Sequence, residues 1–178
     1  LVVGALAVQL LFDPRVEILA ITAAEGNARA DQSTRNVQAI LEQLDPPRFP
    51  RLGVAGVPDD PPGISSDMFH GVDGLGNCKF EVSVLQHQHP SEKVICDVVR
   101  ANPGDVTLIA LGPLTNVARA LQRDPEMGML LRDLVIMGGC IGGVGNVTAC
   151  ADFNMHYDPV AAQTVFESQT TKTLIPLD

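Results

Sequence analysis

Three short segments of the chain concentrate carboxylate, hydroxyl and carboxamide side chains. Oxygen ligands of this kind suit a hard cation such as Ca²⁺, and the same groups hydrogen-bond to sugar hydroxyls. The set therefore predicts a polyol held on a metal ion. A single Asn after a strand is more often a turn former or a helix cap, so the prediction depends on the repetition. The residues are Asn27, Thr115, Asn116, Asn146, Thr148, Asp152 and Asn154.

Apolar periodicity predicts the strands and helices that must position these residues. The strands are nearly continuous apolar runs separated by helices, which indicates an α/β fold with a mostly parallel sheet flanked by helices. No linker or internal repeat interrupts residues 1–178, so we predict a single domain. The predicted strands are 16–22, 52–57, 106–111, 134–137 and 173–176, and the predicted helices are 3–12, 30–44, 91–101, 114–122, 126–132 and 159–168.

The connections between these elements carry the polar residues. Open parallel sheets bind ligands at the carboxyl ends of their strands, so we expect residues 23–27, 112–116 and 138–154 to converge. Residues 58–77, rich in Pro and Gly, form a long loop of the kind that is often functional. Ser91 and Asp158 are the predicted N-caps of the helices that follow them.

The charge balance, the cysteine spacing and the length of the apolar run argue against several classes of protein. The net charge is −9, with 12 basic against 21 acidic residues, which argues against a nucleic-acid partner. The four cysteines have no CxxC spacing, so neither a zinc cage nor a disulfide framework is indicated, and reduced thiols favour the cytoplasm. The apolar run at 1–12 is too short to span a bilayer and lacks the basic flank of a signal peptide, so no membrane association is predicted.

Three other patterns have competing explanations. The glycine run at 138–145 follows a strand but lacks the GxGxxG spacing that opens a helix in dinucleotide-binding folds. His87 and His89 have no neighbouring ligands, which favours a solvated pair over a metal site. Cys140 and Cys150 have no histidine base nearby in the sequence, so buried thiols are the better interpretation.

The ordered set of motifs resembles the inosine-uridine preferring nucleoside hydrolase family over essentially the whole chain. The resemblance implies a Rossmann-like fold and an enzyme that cleaves the N-glycosidic bond of ribonucleosides with a Ca²⁺-bound water. It also implies nucleobase salvage and assembly as a homodimer or homotetramer. The motifs are AAEGN at 23–27, HGVDGLG at 70–76, TLIALGPLTNVA at 107–118, VIMGG at 135–139, GNVTACADFNMHYDPVAA at 145–162 and IPLD at 175–178.

Site roles follow from the resemblance residue by residue. It implies that the backbone carbonyl of Leu111 ligates Ca²⁺, and that Asn27 and Asn154 contact ribose hydroxyls. Asn146 would help to orient the 5′ side of the sugar, and Met137 would line the ribose pocket.

Two further positions carry expectations of their own. Asp152 stands where the family usually has Glu, and its shorter side chain would reach a hydroxyl from about one methylene farther back. His70 would lie near the nucleobase, whereas without the resemblance it is a solvated loop histidine.

The chain also departs from the family pattern. The family opens with an aspartate-rich DxDxxxDD turn after its first strand, and the last two of these positions align with Val2 and Val3. No catalytic carboxylate is identifiable, and the His-Asp pair of the family is expected beyond Asp178. We therefore expect a chain that lacks its first strand and C-terminal part. The second hypothesis is a catalytically inactive relative that binds a nucleoside or serves as a structural subunit.

Overall fold

The computed structural model describes residues 9–64, 67–78, 80–84 and 88–178. Most of the predicted helix 3–12 lies outside these residues, and residues 9–11 are helical. None of the helices in the described part of the chain combines the length and the apolarity needed to cross a membrane.

The strands form two sheets, each with three parallel strands, in the orders β1-β2-β3 and β4-β5-β6. This confirms the α/β class with parallel strands between helices. The prediction of one sheet is wrong for the described residues, because β1 and β4 are not hydrogen-bonded to each other. The strands are β1 Ala20–Thr22, β2 Arg51–Val54, β3 His89–Pro90, β4 Thr107–Ala110, β5 Asp133–Met137 and β6 Lys172–Ile175.

Seven helices with defined ends connect these strands in the described residues, singly or, after β4 and after β5, in pairs. The predicted helices 30–44 and 91–101 are confirmed at both ends, and a short helix interrupts the predicted loop 58–77. The helices are α1 Ala30–Leu44, α2 Asp67–His70, α3 Ser91–Ala101, α4 Thr115–Arg123, α5 Met127–Leu130, α6 Phe153–Tyr157 and α7 Pro159–Glu167.

The ends of α1 follow from local chemistry. At its start, the backbone N–H of Ala30 donates to Glu25 Oε2 at 2.9 Å, which pairs one of the N–H groups that a helix leaves without a partner. At its end, Asp45 adopts a left-handed conformation with φ 42°, and its N–H donates to the carbonyl oxygen of Leu41. Pro46 follows and cannot continue the helix.

Helix α3 packs against β1 and β2 through a fully buried serine. Ser91 is the first residue of the helix, and its hydroxyl lies 2.9 Å from the carbonyl oxygen of Ala23 and 2.8 Å from that of Val54. The prediction of Ser91 as N-cap is wrong, because its hydroxyl bonds to strand-exit carbonyls and the cap position is Pro90. Ser91 thus fixes the start of α3 against both strand exits.

The larger core lies between the second sheet and the helices α3, α4 and α7. Leu114, Leu134, Ile136 and Val165 are fully inaccessible to solvent within it. Each such side chain contributes roughly 1.5–3 kcal/mol of burial free energy. This half of the molecule is therefore a stable base for the strand exits, the segments that leave the carboxyl ends of its strands.

Helix α6 was not predicted, because its five residues are too few for a helical repeat to show in the sequence. Asp152 is its N-cap. The next helix, α7, confirms the predicted cap: Asp158 accepts a hydrogen bond from the N–H of Ala161 at 2.9 Å, and Pro159 occupies the first turn.

The histidine pair is partly described. His89 lies in β3 and is exposed, while His87 falls outside the described residues.

Candidate functional site

The exits of β4 and β5 are joined by one side chain of α6. The Nδ2 of Asn154 donates to the carbonyl oxygen of Met137 at 2.9 Å and makes a longer contact, at 3.4 Å, with that of Leu111. Asn154 is buried, and its Oδ1 receives no hydrogen bond from the described residues. The amide is thereby oriented with its donor group occupied and its acceptor atom available.

Asp152 is a structural anchor in this cluster. Its Oδ1 accepts hydrogen bonds from the N–H groups of Gly139 at 2.8 Å and Met155 at 3.2 Å, and its Oδ2 accepts from the N–H of Asn154 at 3.0 Å. Only 3% of the residue is exposed. The carboxylate therefore holds the start of α6 against the chain leaving β5. A contact with ribose stays a prediction.

Close packing supports the same junction. A Cβ added to Gly138, which has φ 137°, would lie 2.9 Å from Oδ2 of Asp152 and 3.3 Å from Cβ of Asn154. A larger residue at this position would push α6 away from β5.

Asn146 belongs to the same cluster from the side of the glycine-rich loop. Its Oδ1 accepts a hydrogen bond from the N–H of Phe153 at 2.8 Å, and the residue is exposed. The structure thus brings Asn146 beside α6. Met137, at the end of β5, is partly buried and contributes its carbonyl oxygen to Asn154.

The exit of β1 lies against the exit of β4. A Cβ placed on Gly26 would be 3.1 Å from Cδ of Pro113 and 3.6 Å from Cε1 of Phe153. Asn27, the next residue, is exposed and so can meet a ligand from solvent. The predicted convergence of the strand exits is therefore present in the geometry.

Asn116 ties the two sheets together below this junction. Its Nδ2 donates to the carbonyl oxygen of Ala23 at 2.6 Å, and its buried Oδ1 has no hydrogen-bond partner among the described residues. The sequence placed Asn116 among the strand-exit residues, but its role in joining β1 to α4 needed the tertiary structure.

His70 is the last residue of α2, not a loop residue as predicted, and the segment that follows it lies close to α1 and the β1 exit. Asn36 Nδ2 donates to the carbonyl oxygen of Asp73 at 2.6 Å, and a Cβ on Gly74 would lie 3.0 Å from that of Ala28. No hydrogen bond or ion pair connects the His70 side chain with Asn154 within the described ranges. Its place near a nucleobase stays a prediction.

Glu25 and Tyr157 form a pair beside the site. The sequence motifs favoured Tyr157 as a residue lining the pocket but assigned no role to Glu25. The Tyr157 hydroxyl donates to Glu25 Oε1 at 3.2 Å. Burial, together with the negative charge and hydrogen bond of Glu25, raises the pKa of Tyr157 to about 12. The phenol therefore remains a donor throughout the neutral range.

The metal expectation has limited support from these residues. No group of three or more His, Cys, Asp or Glu side chains suited to a metal ion occurs in the described part of the chain. Val2 and Val3, the positions aligned with the family aspartates, lie outside the described residues.

Comparison with known proteins places the chain among nucleoside hydrolases. It is 36% identical over 169 residues to the pyrimidine-specific ribonucleoside hydrolase RihA of Klebsiella pneumoniae, covering 94% of this chain and 54% of that protein. It is 34% identical over 170 residues to uridine nucleosidase 1 of Arabidopsis thaliana, covering 93% and 50%. The chain spans about half the length of the curated relatives it matches.

Solved structures of nucleoside hydrolases have a similar fold to this chain. The purine-preferring ribonucleoside hydrolase of Gardnerella vaginalis superposes with a TM-score of 0.88 at 29% identity, covering 98% of this chain and 57% of that one. A plant nucleoside hydrolase superposes with a TM-score of 0.87 at 28% identity, covering 98% and 56%. The sequence model of the inosine-uridine preferring nucleoside hydrolases matches residues 3–178, and the chain therefore belongs to that family.

Proposed function

We propose that the full-length protein hydrolyses the N-glycosidic bond of ribonucleosides to free base and ribose. The observation that carries the proposal is the fixed amide of Asn154, whose donor faces the carbonyl oxygens at the exits of β4 and β5. Its Oδ1 is left to accept a hydrogen bond from a ribose hydroxyl. The family and the relatives named as nucleosidases support the same reaction class.

The chemistry of the bond explains why such an acceptor helps. As the N-glycosidic bond breaks, positive charge develops on the ribosyl group, as in glycoside hydrolysis. The ribose hydroxyls then become better hydrogen-bond donors, so an amide oxygen in a fixed position binds the transition state more tightly than the substrate. Asn27, on the facing strand exit, would contact a second hydroxyl.

The described residues do not by themselves fit a Ca²⁺ ion. Leu111 contributes one carbonyl oxygen, which Asn154 Nδ2 already approaches at 3.4 Å, and Asp152 is occupied by backbone N–H groups. Calcium prefers six to eight oxygen ligands, so carboxylates from elsewhere in the protein would have to complete a site. Dependence on Ca²⁺ is a proposal for the full-length protein, to be checked by assays with and without a chelator.

Base release from inosine and uridine by the full-length protein tests the proposed reaction. We expect free base from at least one substrate. Asn154→Ala should lower kcat/KM at least about tenfold, because it removes a contact that strengthens in the transition state. Asn102→Ala is the matched control, since the Asn102 side chain donates to the carbonyl oxygen of Val98 at the C-terminal end of α3. Equal turnover in the Asn154 and Asn102 variants would refute the site assignment.

A non-catalytic relative that binds nucleosides is the second candidate. It is favoured by the lack of a metal-binding group in the part of the chain that the structure describes. Calorimetric binding of a nucleoside by the full-length protein, with no base released on prolonged incubation, would support this candidate over the enzyme.

Two further proposals concern the setting of the protein. All four cysteines are free thiols, which supports a reducing compartment such as the cytoplasm. The prediction that Cys140 and Cys150 are buried is wrong, because Cys140 is only partly buried and Cys150 is exposed. Assembly as a homodimer or homotetramer rests on the family resemblance, and light scattering on the full-length protein would measure it.

A further inference from the structure

One partly buried hydrogen bond connects the two halves of the candidate site. Tyr157, the last residue of α6, is 5% exposed, and its hydroxyl donates to Glu25 Oε1 at 3.2 Å. Glu25 lies in the exit of β1, two residues before Asn27. Its other oxygen, Oε2, accepts from the N–H of Ala30 at 2.9 Å. The carboxylate thus bridges α6 and the first turn of α1.

The side chains around the Tyr157–Glu25 hydrogen bond restrict the position of the β1 exit. The ring of Tyr157 packs against that of Phe153 with centroids 5.2 Å apart, and a Cβ on Gly26 would lie 3.6 Å from the Phe153 ring. The same added Cβ would lie 3.1 Å from Cδ of Pro113, which follows β4, so little room is left around Gly26. The segment from Glu25 to Asn27 is therefore held by packing at Gly26 and by two hydrogen bonds at Glu25.

We propose that the hydrogen bond between Tyr157 and Glu25 is a positioning device that sets the place of Asn27 relative to Asn154. This inference rests on the proposed function, because it assumes that both asparagines bind one ribose. Tyr157 lies three residues after Asn154 on the same short helix. The bridge therefore transmits the position of α6 to the β1 exit, although β1 and β4 share no backbone hydrogen bonds.

The chemistry of the pair predicts graded effects. Tyr157→Phe removes the donor hydroxyl and keeps the ring, so it should lower kcat/KM about tenfold by misplacing Asn27. Glu25→Gln keeps one carbonyl oxygen but replaces the second acceptor by a donor amide. Its Oε1 can still accept from the N–H of Ala30 while its Nε2 donates to the Tyr157 hydroxyl oxygen. This bond is reversed and lacks the carboxylate charge, so a smaller loss of about threefold is expected.

A double-mutant cycle in the full-length protein separates positioning from general destabilisation. The variants are Tyr157→Phe, Asn27→Ala and their combination, assayed for base release from a ribonucleoside. If Tyr157 acts through Asn27, the Tyr157 substitution should change kcat/KM by less than about twofold once Asn27 is Ala. Ser168→Ala is the control, because it removes a partly buried hydroxyl at the far end of α7 and should change neither background.

The outcomes are distinct. An active wild type in which the two substitutions have independent, multiplying effects overturns the positioning role and leaves the proposed function standing. A wild type that releases no base overturns both. If Tyr157→Phe does not fold, Glu25→Gln in the same cycle with Asn27→Ala decides the question, and a loss that persists in the Asn27 variant overturns the inference.

Discussion

Asp152 has two possible roles, contact with ribose and N-cap of α6. Its place in the motif implies a contact with ribose, whereas the structure shows both oxygens occupied by backbone N–H groups of Gly139, Asn154 and Met155. A carboxylate on a short stem suits an N-cap, because it reaches the first turn of its own helix. The cap orients α6 and, through it, the amide of Asn154.

Substitution of Asp152 should therefore lower the stability of the folded protein. We expect Asp152→Ala to lower the free energy of unfolding by about 2 kcal/mol, and Asp152→Asn by about 1 kcal/mol because Asn keeps one acceptor oxygen. Urea denaturation measures both. Asp105→Ala, at an exposed position after α3, is the control. Unchanged stability of Asp152→Ala together with lost activity would instead favour a direct contact with substrate.

β2 and α3 are packed closely against each other at Gly53. A Cβ on Gly53 would lie 2.7 Å from Cγ2 of Thr22 and 2.9 Å from Cα of Ser91. The second contact is with backbone, which cannot rotate away. Glycine in β2 therefore allows α3 to approach closely enough for the Ser91 hydroxyl to reach two strand exits.

Gly53→Ala should force β2 and α3 apart. We expect a loss of about 2–3 kcal/mol in the free energy of unfolding, since overpacking of this kind shifts backbone. Gly63→Ala is a matched control, because a Cβ there meets no atom within 4 Å. Thermal unfolding followed by circular dichroism would compare the two, and equal midpoints would contradict the packing argument.

Side chains from the second half of the chain connect the two parallel sheets by hydrogen bonds. Asn116 bonds to the exit of β1, and Tyr157 bonds to Glu25 in the same exit. Both side chains come from the half of the chain that forms the second sheet, so these bonds contribute to the relative position of the two sheets at the site.

The Tyr157 bond predicts a stability change at alkaline pH. The pKa of Tyr157 in the folded protein is about 12, against an ordinary value near 10. As pH rises through this interval the unfolded chain loses the proton first, so unfolding becomes more favourable. The wild type should lose up to roughly 2 kcal/mol more than Tyr157→Phe between pH 9 and 12.

Urea unfolding of the wild type and the Tyr157→Phe variant at each pH measures this difference. The titration of other groups largely cancels between the two proteins, which makes the variant the reference. Parallel pH profiles would show that the phenol is not held in its protonated form by burial and by Glu25.

Local patterns in the sequence were sufficient for the main elements. The 3.6-residue apolar repeat predicts α1 and α3 at their observed bounds, and Asp158-Pro159 predicts the start of α7. The motif order was sufficient for the family, and parallel strands implied that the polar exits would meet. These features depend on neighbours in the chain, so the sequence by itself determined them.

Only the tertiary structure decided which partner each polar group takes. Ser91 bonds to Ala23 and Val54, which are 68 and 37 residues away, and Tyr157 bonds to Glu25 across 132 residues. A pattern of residue types shows that a hydroxyl or carboxylate is present but not which distant donor or acceptor folding brings within hydrogen-bond distance. The division of the strands into two sheets depends on such distant pairings for the same reason.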